Sequence, residues 1–189
     1  MSAITKLAIA QSLKEISTEK PLNKITVKNI TDSCGINRQT FYYHFKDIYD
    51  LIEWIYEKEA LEALSDKRTY ATWQEGFLRI FNYILDNKDF VLKTYHSLSR
   101  EHLENFLYAE TLNLLKGVVD EKASGLSVRE EDKTFIANFY KYGFVGLTLE
   151  WLNEGMIKDP ASIIEKLGIL IHGDIEKALE CFSSKKSKN

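Results

Sequence analysis

The chain is 189 residues long, 44% hydrophobic and 28% charged, the balance of a soluble globular protein with room for one or two packed domains. Cys34 and Cys181 belong to no CxxC or Cys/His grouping, which argues against a disulfide scaffold or a zinc module and for a reducing, cytoplasmic setting. The net charge of −3 argues against a polyanion partner, yet residues 1–46 hold seven basic against three acidic side chains (net +4) and residues 47–189 hold 18 against 25 (net −7); local potential is what steers nucleic acid.

No secretory pattern opens the chain, because Lys6, Gln11, Lys14 and Glu15 interrupt the apolar residues between Ile4 and Ile16. No window approaches the roughly 20 apolar residues of a membrane span. With two Pro and nine Gly, long helices are expected. The first covers Ala3 to Ser17, with Ile9, Leu13 and Ile16 as its stripe. A turn follows at Lys20–Asn23.

Two helix starts then share one grammar. Thr26 and Asn37 are N-caps, each preceded by an isoleucine (Ile25, Ile36) and followed four residues on by an apolar residue (Ile30, Phe41), the ends of a hydrophobic staple. The capping box reads as incomplete, since Asn29 and Thr40 stand where Glu or Gln is usual. Gly35 sits where the first of these helices must turn left-handed. Asp47 caps the next helix, which runs to about Leu64 with Ile48, Leu51, Ile52 and Ile55 on one face.

The remaining elements are amphipathic helices. Trp73, Phe77, Ile80, Phe81 and Ile84 line one; Phe90 to Tyr95 forms a short one. Leu103, Phe106, Leu107, Leu114, Leu115 and Val118 line a long one, ended by Ser124-Gly125. A helix from about Arg129 to Asn153 is apolar nearly all round and is expected to be buried on several faces, with Gly143 and Gly146 open to a close backbone neighbour. Gly155 stops it. Asp159-Pro160 opens a last helix through Ile163, Leu167, Ile171, Ile175 and Leu179, and Lys185–Asn189 reads as a frayed tail.

Thr26 to Lys46 therefore has the build of a helix-turn-helix, whose second helix enters the DNA major groove. Phe41 and Phe45, four apart, face the interior. Arg38 with Tyr42, and Gln39 with Tyr43, share outer faces. Arg38 suits guanine edges and Gln39 adenine edges; Thr40 suits a thymine methyl or a phosphate. Tyr42, Tyr43, His44 and Lys46 suit phosphates, as do Thr26 and Lys28, with Asn37 at the helix start; such contacts position the protein while base contacts specify the site. Singly, each of these residues also fits an ordinary solvated or packing role; together they point to DNA. His96, Glu101, His102 and Glu104 give no clean metal spacing, and no Gly-rich phosphate loop or GxSxG is present. No metal, cofactor or catalytic residue is expected, and the chain does not read as an enzyme.

Thr26, Cys34-Gly35-Ile36, Asn37-Arg38-Gln39 and Thr40-Phe41-Tyr42-Tyr43-His44-Phe45-Lys46 resemble the DNA-binding head of the TetR/AcrR family of bacterial transcriptional regulators. The segment FYKYGFVGLTLEWLNEGMIKDPASI is similar to that family's C-terminal helices. Trp73-Gln74, Asn87-Lys88-Asp89-Phe90 and Phe106-Leu107, within Tyr70–Val119, resemble the Firmicutes branch that includes regulators of dihydroxyacetone kinase operons. In the dihydroxyacetone regulator the effector is a protein co-activator, a role not carried over here on fold similarity alone.

The resemblance implies an all-α chain: an N-terminal three-helix bundle with a helix-turn-helix over residues 1–46, and a helical linker, effector and dimerisation domain over 47–189. It implies a homodimer on a palindromic DNA operator, controlled by a small-molecule effector or a protein co-regulator. The last two helices would pair, with Tyr140, Phe144, Leu147, Trp151, Leu167, Ile171 and Ile175 as interface candidates. Trp73, Phe77, Phe81, Tyr95 and Phe106 are candidates to line a ligand pocket. The alternative is a helical protein-interaction adaptor that has lost DNA binding.

Overall fold

The computed structural model describes residues 2–64, 72–97 and 100–186. Their regular structure is helical throughout, in keeping with the all-α expectation. The elements are α1 (Ser2–Glu19), a single 3-10 turn (Leu22–Lys24), α2 (Val27–Cys34), α3 (Arg38–His44), α4 (Ile48–Leu64) and α5 (Trp73–Asp86). They continue as α6 (Lys88–Tyr95), α7 (Arg100–Lys122), α8 (Glu130–Asn153), α9 (Pro160–Ile171) and α10 (Asp174–Lys186). The chain divides into two compact units: residues 1–60 with 86–106, and residues 61–85 with 107–189. The first contains the head expected over residues 1–46.

In the first unit Ile9 and Leu13 of α1, Ile30 of α2, Phe41 and Phe45 at α3, and Leu51, Ile52 and Ile55 of α4 form a fully buried core. Each such side chain contributes about 1.5–3 kcal/mol on leaving water. The Ser12 hydroxyl donates to the Ile30 carbonyl at 3.2 Å, which ties α1 to α2. The entry to α2 departs from the sequence expectation. Its capping box is complete: the Asn29 N–H donates to Thr26 Oγ1 at 3.2 Å and the Thr26 N–H donates to Asn29 Oδ1 at 3.0 Å. Asn reaches back as Glu or Gln would, because its carboxamide oxygen accepts equally well at this separation. At the other end Gly35 is left-handed, with φ 68, a conformation costly to residues bearing a Cβ.

The second unit is built on aromatic edges. Phe77 and Trp73 meet the Phe144 ring at 4.6 and 5.7 Å, and Phe81 meets Trp151 at 4.7 Å. The Trp151 indole N–H donates to the Lys158 carbonyl at 2.8 Å, fixing the turn between α8 and α9. Glu176 of α10 pairs with Lys122 of α7 at 2.7 Å.

Three expectations are corrected here. The last helix is two helices, because Gly173 adopts φ 76 and ends α9 before Asp174 opens α10. The tail expected at Lys185–Asn189 is helical through Lys186, and residues 187–189 lie outside the described residues. Finally, α8 is not buried all round. Phe135, Phe139 and Tyr142 are 64%, 66% and 60% exposed, and Cβ atoms placed on Gly143 and Gly146 would meet nothing within 4 Å. One apolar stripe of α8 is therefore uncovered within a single chain.

Candidate nucleic-acid interface

Helix α3 sorts its side chains by face. Phe41 and Phe45 are buried, their rings 5.9 Å apart, and Phe45 meets Trp54 of α4 at 5.7 Å. Arg38, Gln39, Tyr42 and Tyr43 are exposed on the other side. Tyr42 leans its ring edge-on to Phe41 at 5.5 Å and so is supported from beneath. Tyr43 stands farther out, edge-on to the half-buried His44 at 5.0 Å. This is the pairing of outer faces that the spacing predicts.

The capping residues hold the helix starts rigidly. Asn37 Oδ1 accepts from the Thr40 N–H at 2.7 Å and from the Thr40 hydroxyl at 3.0 Å. The Thr26 hydroxyl likewise donates to Asn29 Oδ1 at 2.9 Å. Both threonine hydroxyls are thus engaged inside caps. Asn37, Gln39, Thr40 and Tyr43 enclose a shallow depression of about 240 Å³ on the outer surface. Lys28 is exposed and pairs with Asp32 one turn on, an i,i+4 pair weak enough in water for a phosphate to displace. Lys46 is exposed, and its N–H donates to the Asp50 carboxylate at 2.7 Å.

Sequence reasoning missed Lys6. Its ammonium lies 5.1 Å from the Phe45 ring centroid and 5.4 Å from that of Trp54, which places a cation beside the end of α3. No local pattern signals this, because the rings come from residues far along the chain. Two more lysines brace the unit. Lys14 bonds Glu59 of α4 at 2.5 and 2.7 Å and Asn87, before α6, at 2.8 Å. Lys93 of α6 donates to the carbonyls of Ser17 and Thr18 at the end of α1, the latter at 2.8 Å, where a cation also complements the helix dipole. Cys34, the last residue of α2, gives its thiol to the Ile30 carbonyl at 3.1 Å, and burial pushes its pKa up; it is a packing residue and not a reactive thiolate.

The candidate ligand-pocket residues are all buried, but they do not line one cavity within a unit. Trp73, Phe77 and Phe81 lie in the second unit against Phe144 and Trp151; Tyr95 and Phe106 lie in the first, where Phe106 stacks on Tyr56 at 5.2 Å. Burial drives the Tyr56 phenol well above its ordinary pKa. A cavity of about 300 Å³ in the first unit, lined by Leu22, Ile25, Ile48 and Ile52, touches none of the five. Nor does one of about 260 Å³ in the second, lined by Leu147, Trp151, Ile163 and Leu170. His102 stacks on Tyr49 at 5.9 Å and Glu104 pairs with Arg100 at 2.6 Å. Among the described residues no three His, Cys, Asp or Glu converge on a metal position.

The interface candidates need correction. Phe144, Trp151, Leu167, Ile171 and Ile175 are buried in the core of the second unit, which leaves them almost no exposed surface. Leu147 and, in part, Tyr140 keep exposed surface, beside Phe135, Phe139 and Tyr142 on α8 and Ile169 and Leu170 on α9.

Comparison with known proteins gives these features a context. Residues 11–55 match the family model described as bacterial regulatory proteins, tetR family. Residues 71–173 match the model of a transcriptional regulator C-terminal region. The HTH-type dhaKLM operon transcriptional activator DhaS of Lactococcus lactis subsp. lactis (strain IL1403) is 29% identical over 156 residues, 82% of each chain, in line with the finer resemblance. The solved structure of a dihydroxyacetone kinase operon activator DhaS superposes with a TM-score of 0.72 at 23% identity, over 96% of this chain and 99% of that one. NalD of Pseudomonas aeruginosa, the secondary repressor of the MexAB-OprM efflux pump, superposes with a TM-score of 0.59 at 16% identity, over 95% and 98%; at these identities the likeness is one of fold.

Proposed function

Because the chain belongs to the tetR family of bacterial regulatory proteins, we propose that it binds a palindromic operator as a homodimer and that an effector acting on residues 47–189 sets its affinity. The observation that carries the reading is the division of α3: two buried phenylalanines fix the helix, while Arg38, Gln39, Tyr42 and Tyr43 stand exposed together. Arg38 reads guanine and Gln39 reads adenine in the major groove. Lys28, Lys46, Tyr42 and His44 settle on phosphates, and Lys6 adds positive charge beside them.

The exposed stripe of Phe135, Phe139 and Tyr142 supports the dimer, since large apolar side chains in line favour a partner surface. A second copy brings a second α3, and two heads one DNA turn apart, ~34–36 Å, match a palindrome. An effector changes operator affinity by its differential affinity for the two arrangements of the heads. The effector is a small molecule or a co-regulator protein; the relative from Lactococcus is named as an activator.

The test is selection of a preferred duplex from random-sequence DNA with the full-length protein, followed by anisotropy titration of Arg38→Ala on that duplex and on single-base variants. The expected loss is about 1–3 kcal/mol per half-site, concentrated at one guanine in each, with the dimer intact. Unchanged discrimination at every position removes Arg38 as a base reader. Absence of any salt-dependent DNA binding favours the adaptor reading.

A further inference from the structure

Thr40 is pinned in a way that decides what it can offer DNA. Its N–H and its hydroxyl both donate to the same acceptor, Asn37 Oδ1, at 2.7 and 3.0 Å. A phosphate oxygen only accepts, so Thr40 cannot donate to one without breaking that bond. A β-branched side chain has few χ1 positions, and two bonds to one oxygen hold it in place. Thr40 nevertheless lines the outer depression with Asn37, Gln39 and Tyr43. The helical spacing of 37, 40 and 43 places these three on one strip, with Gln39 beside it. Thr40 is half-buried at the floor, while Gln39 and Tyr43 are exposed as walls.

We infer that Thr40 reads the 5-methyl group of a pyrimidine, thymine in ordinary DNA, through its own methyl, with the hydroxyl bond to Asn37 holding that methyl in position. The inference rests on the DNA-binding reading above and assigns a specific base contact within it. The T methyl is displayed only in the major groove, where apolar side chains distinguish it from cytosine. Arg38 and Gln39 read hydrogen-bonding edges; Thr40 contributes an apolar contact at a third position.

The test uses the full-length protein and the duplex recovered by selection. Each thymine is replaced in turn by deoxyuridine, which removes only the methyl, symmetrically in both half-sites, and affinity is read by anisotropy. One position per half-site should lose about three- to fourfold, or about tenfold for the pair, as expected for one methyl withdrawn from contact. Thr40→Ser keeps the hydroxyl and the Asn37 bond but lacks the methyl; it should bind the thymine and deoxyuridine duplexes equally. Thr40→Val keeps a methyl but loses the Asn37 bond that positions it, so its preference for thymine should be weaker than the natural protein's and stronger than that of Thr40→Ser. A flat deoxyuridine scan with the natural protein overturns the inference while leaving DNA binding intact. So does a sensitive position that stays equally sensitive in Thr40→Ser, which assigns the methyl to another side chain such as Tyr43. Recovery of no preferred sequence overturns the DNA-binding reading and this inference with it.

Discussion

Replacing Lys14 by Met should destabilise the first unit by about 1.5–3 kcal/mol. The Lys14 ammonium sits between both oxygens of Glu59, at 2.5 and 2.7 Å, and the Asn87 carboxamide oxygen at 2.8 Å, and lies 5.6 Å from the Phe90 ring centroid. The side chains of Lys14 and Glu59 are 19% and 29% exposed. Met retains much of the apolar stem, so the loss is electrostatic. It leaves a mostly buried carboxylate without its cation, which for a deeply buried pair costs about 3–5 kcal/mol. The remaining exposure admits water, so the lower range typical of a charged hydrogen bond applies. For a chain of this length that corresponds to a Tm lower by about 3–12 °C, measured by circular dichroism in the full-length protein. Replacing Glu59 by Met in the same chain removes the stranded charge and should recover more than half of the loss, giving a coupling energy above about 1 kcal/mol. A single-variant loss under about 0.5 kcal/mol, or additive effects of the two replacements, would refute the view that this cluster braces α1 against α4.

Two further perturbations address the turn and the seam. Gly35→Ala should cost about 1 kcal/mol or slightly more in stability, because φ is 68 and the added Cβ meets no neighbouring atom that could offset the backbone strain; an unchanged urea midpoint contradicts the left-handed turn. Phe139→Arg should shift the protein from dimer to monomer in analytical ultracentrifugation at micromolar concentration while helicity is unchanged, since a charge would be buried opposite its symmetry mate. An unaffected dimer places the seam elsewhere.

The head was legible in the sequence because its signals are local. Caps, staple and glycine lie within four residues of what they control, and Phe41 and Phe45 follow helical spacing to the buried face. The Asn29 box escaped because the usual rule is stated for longer side chains, although the reciprocal bonds form equally well. The break at Gly173 was also local, a glycine followed by Asp174, and was passed over because the apolar period continues through Ile175 and Leu179. The body was less legible for a physical reason. In a helix apolar on most faces, periodicity does not say which stripe meets the core of the chain and which is left uncovered, so spacing alone does not separate the buried Phe144 and Trp151 from the exposed Phe135 and Phe139. Lys6 and Lys14 were invisible because their partners come from distant segments.

The central claim is sequence-specific DNA binding by two copies of this head. It is tested most directly by titrating a duplex obtained by selection, and a scrambled duplex of equal length, at several salt concentrations, with the stoichiometry read from sedimentation. The account predicts two chains per selected duplex and a clear preference over the scrambled one. Lys28 and Lys46 on two heads predict a log–log salt slope of about −4 or steeper. Equal affinity for both duplexes, or no binding at low salt, contradicts it.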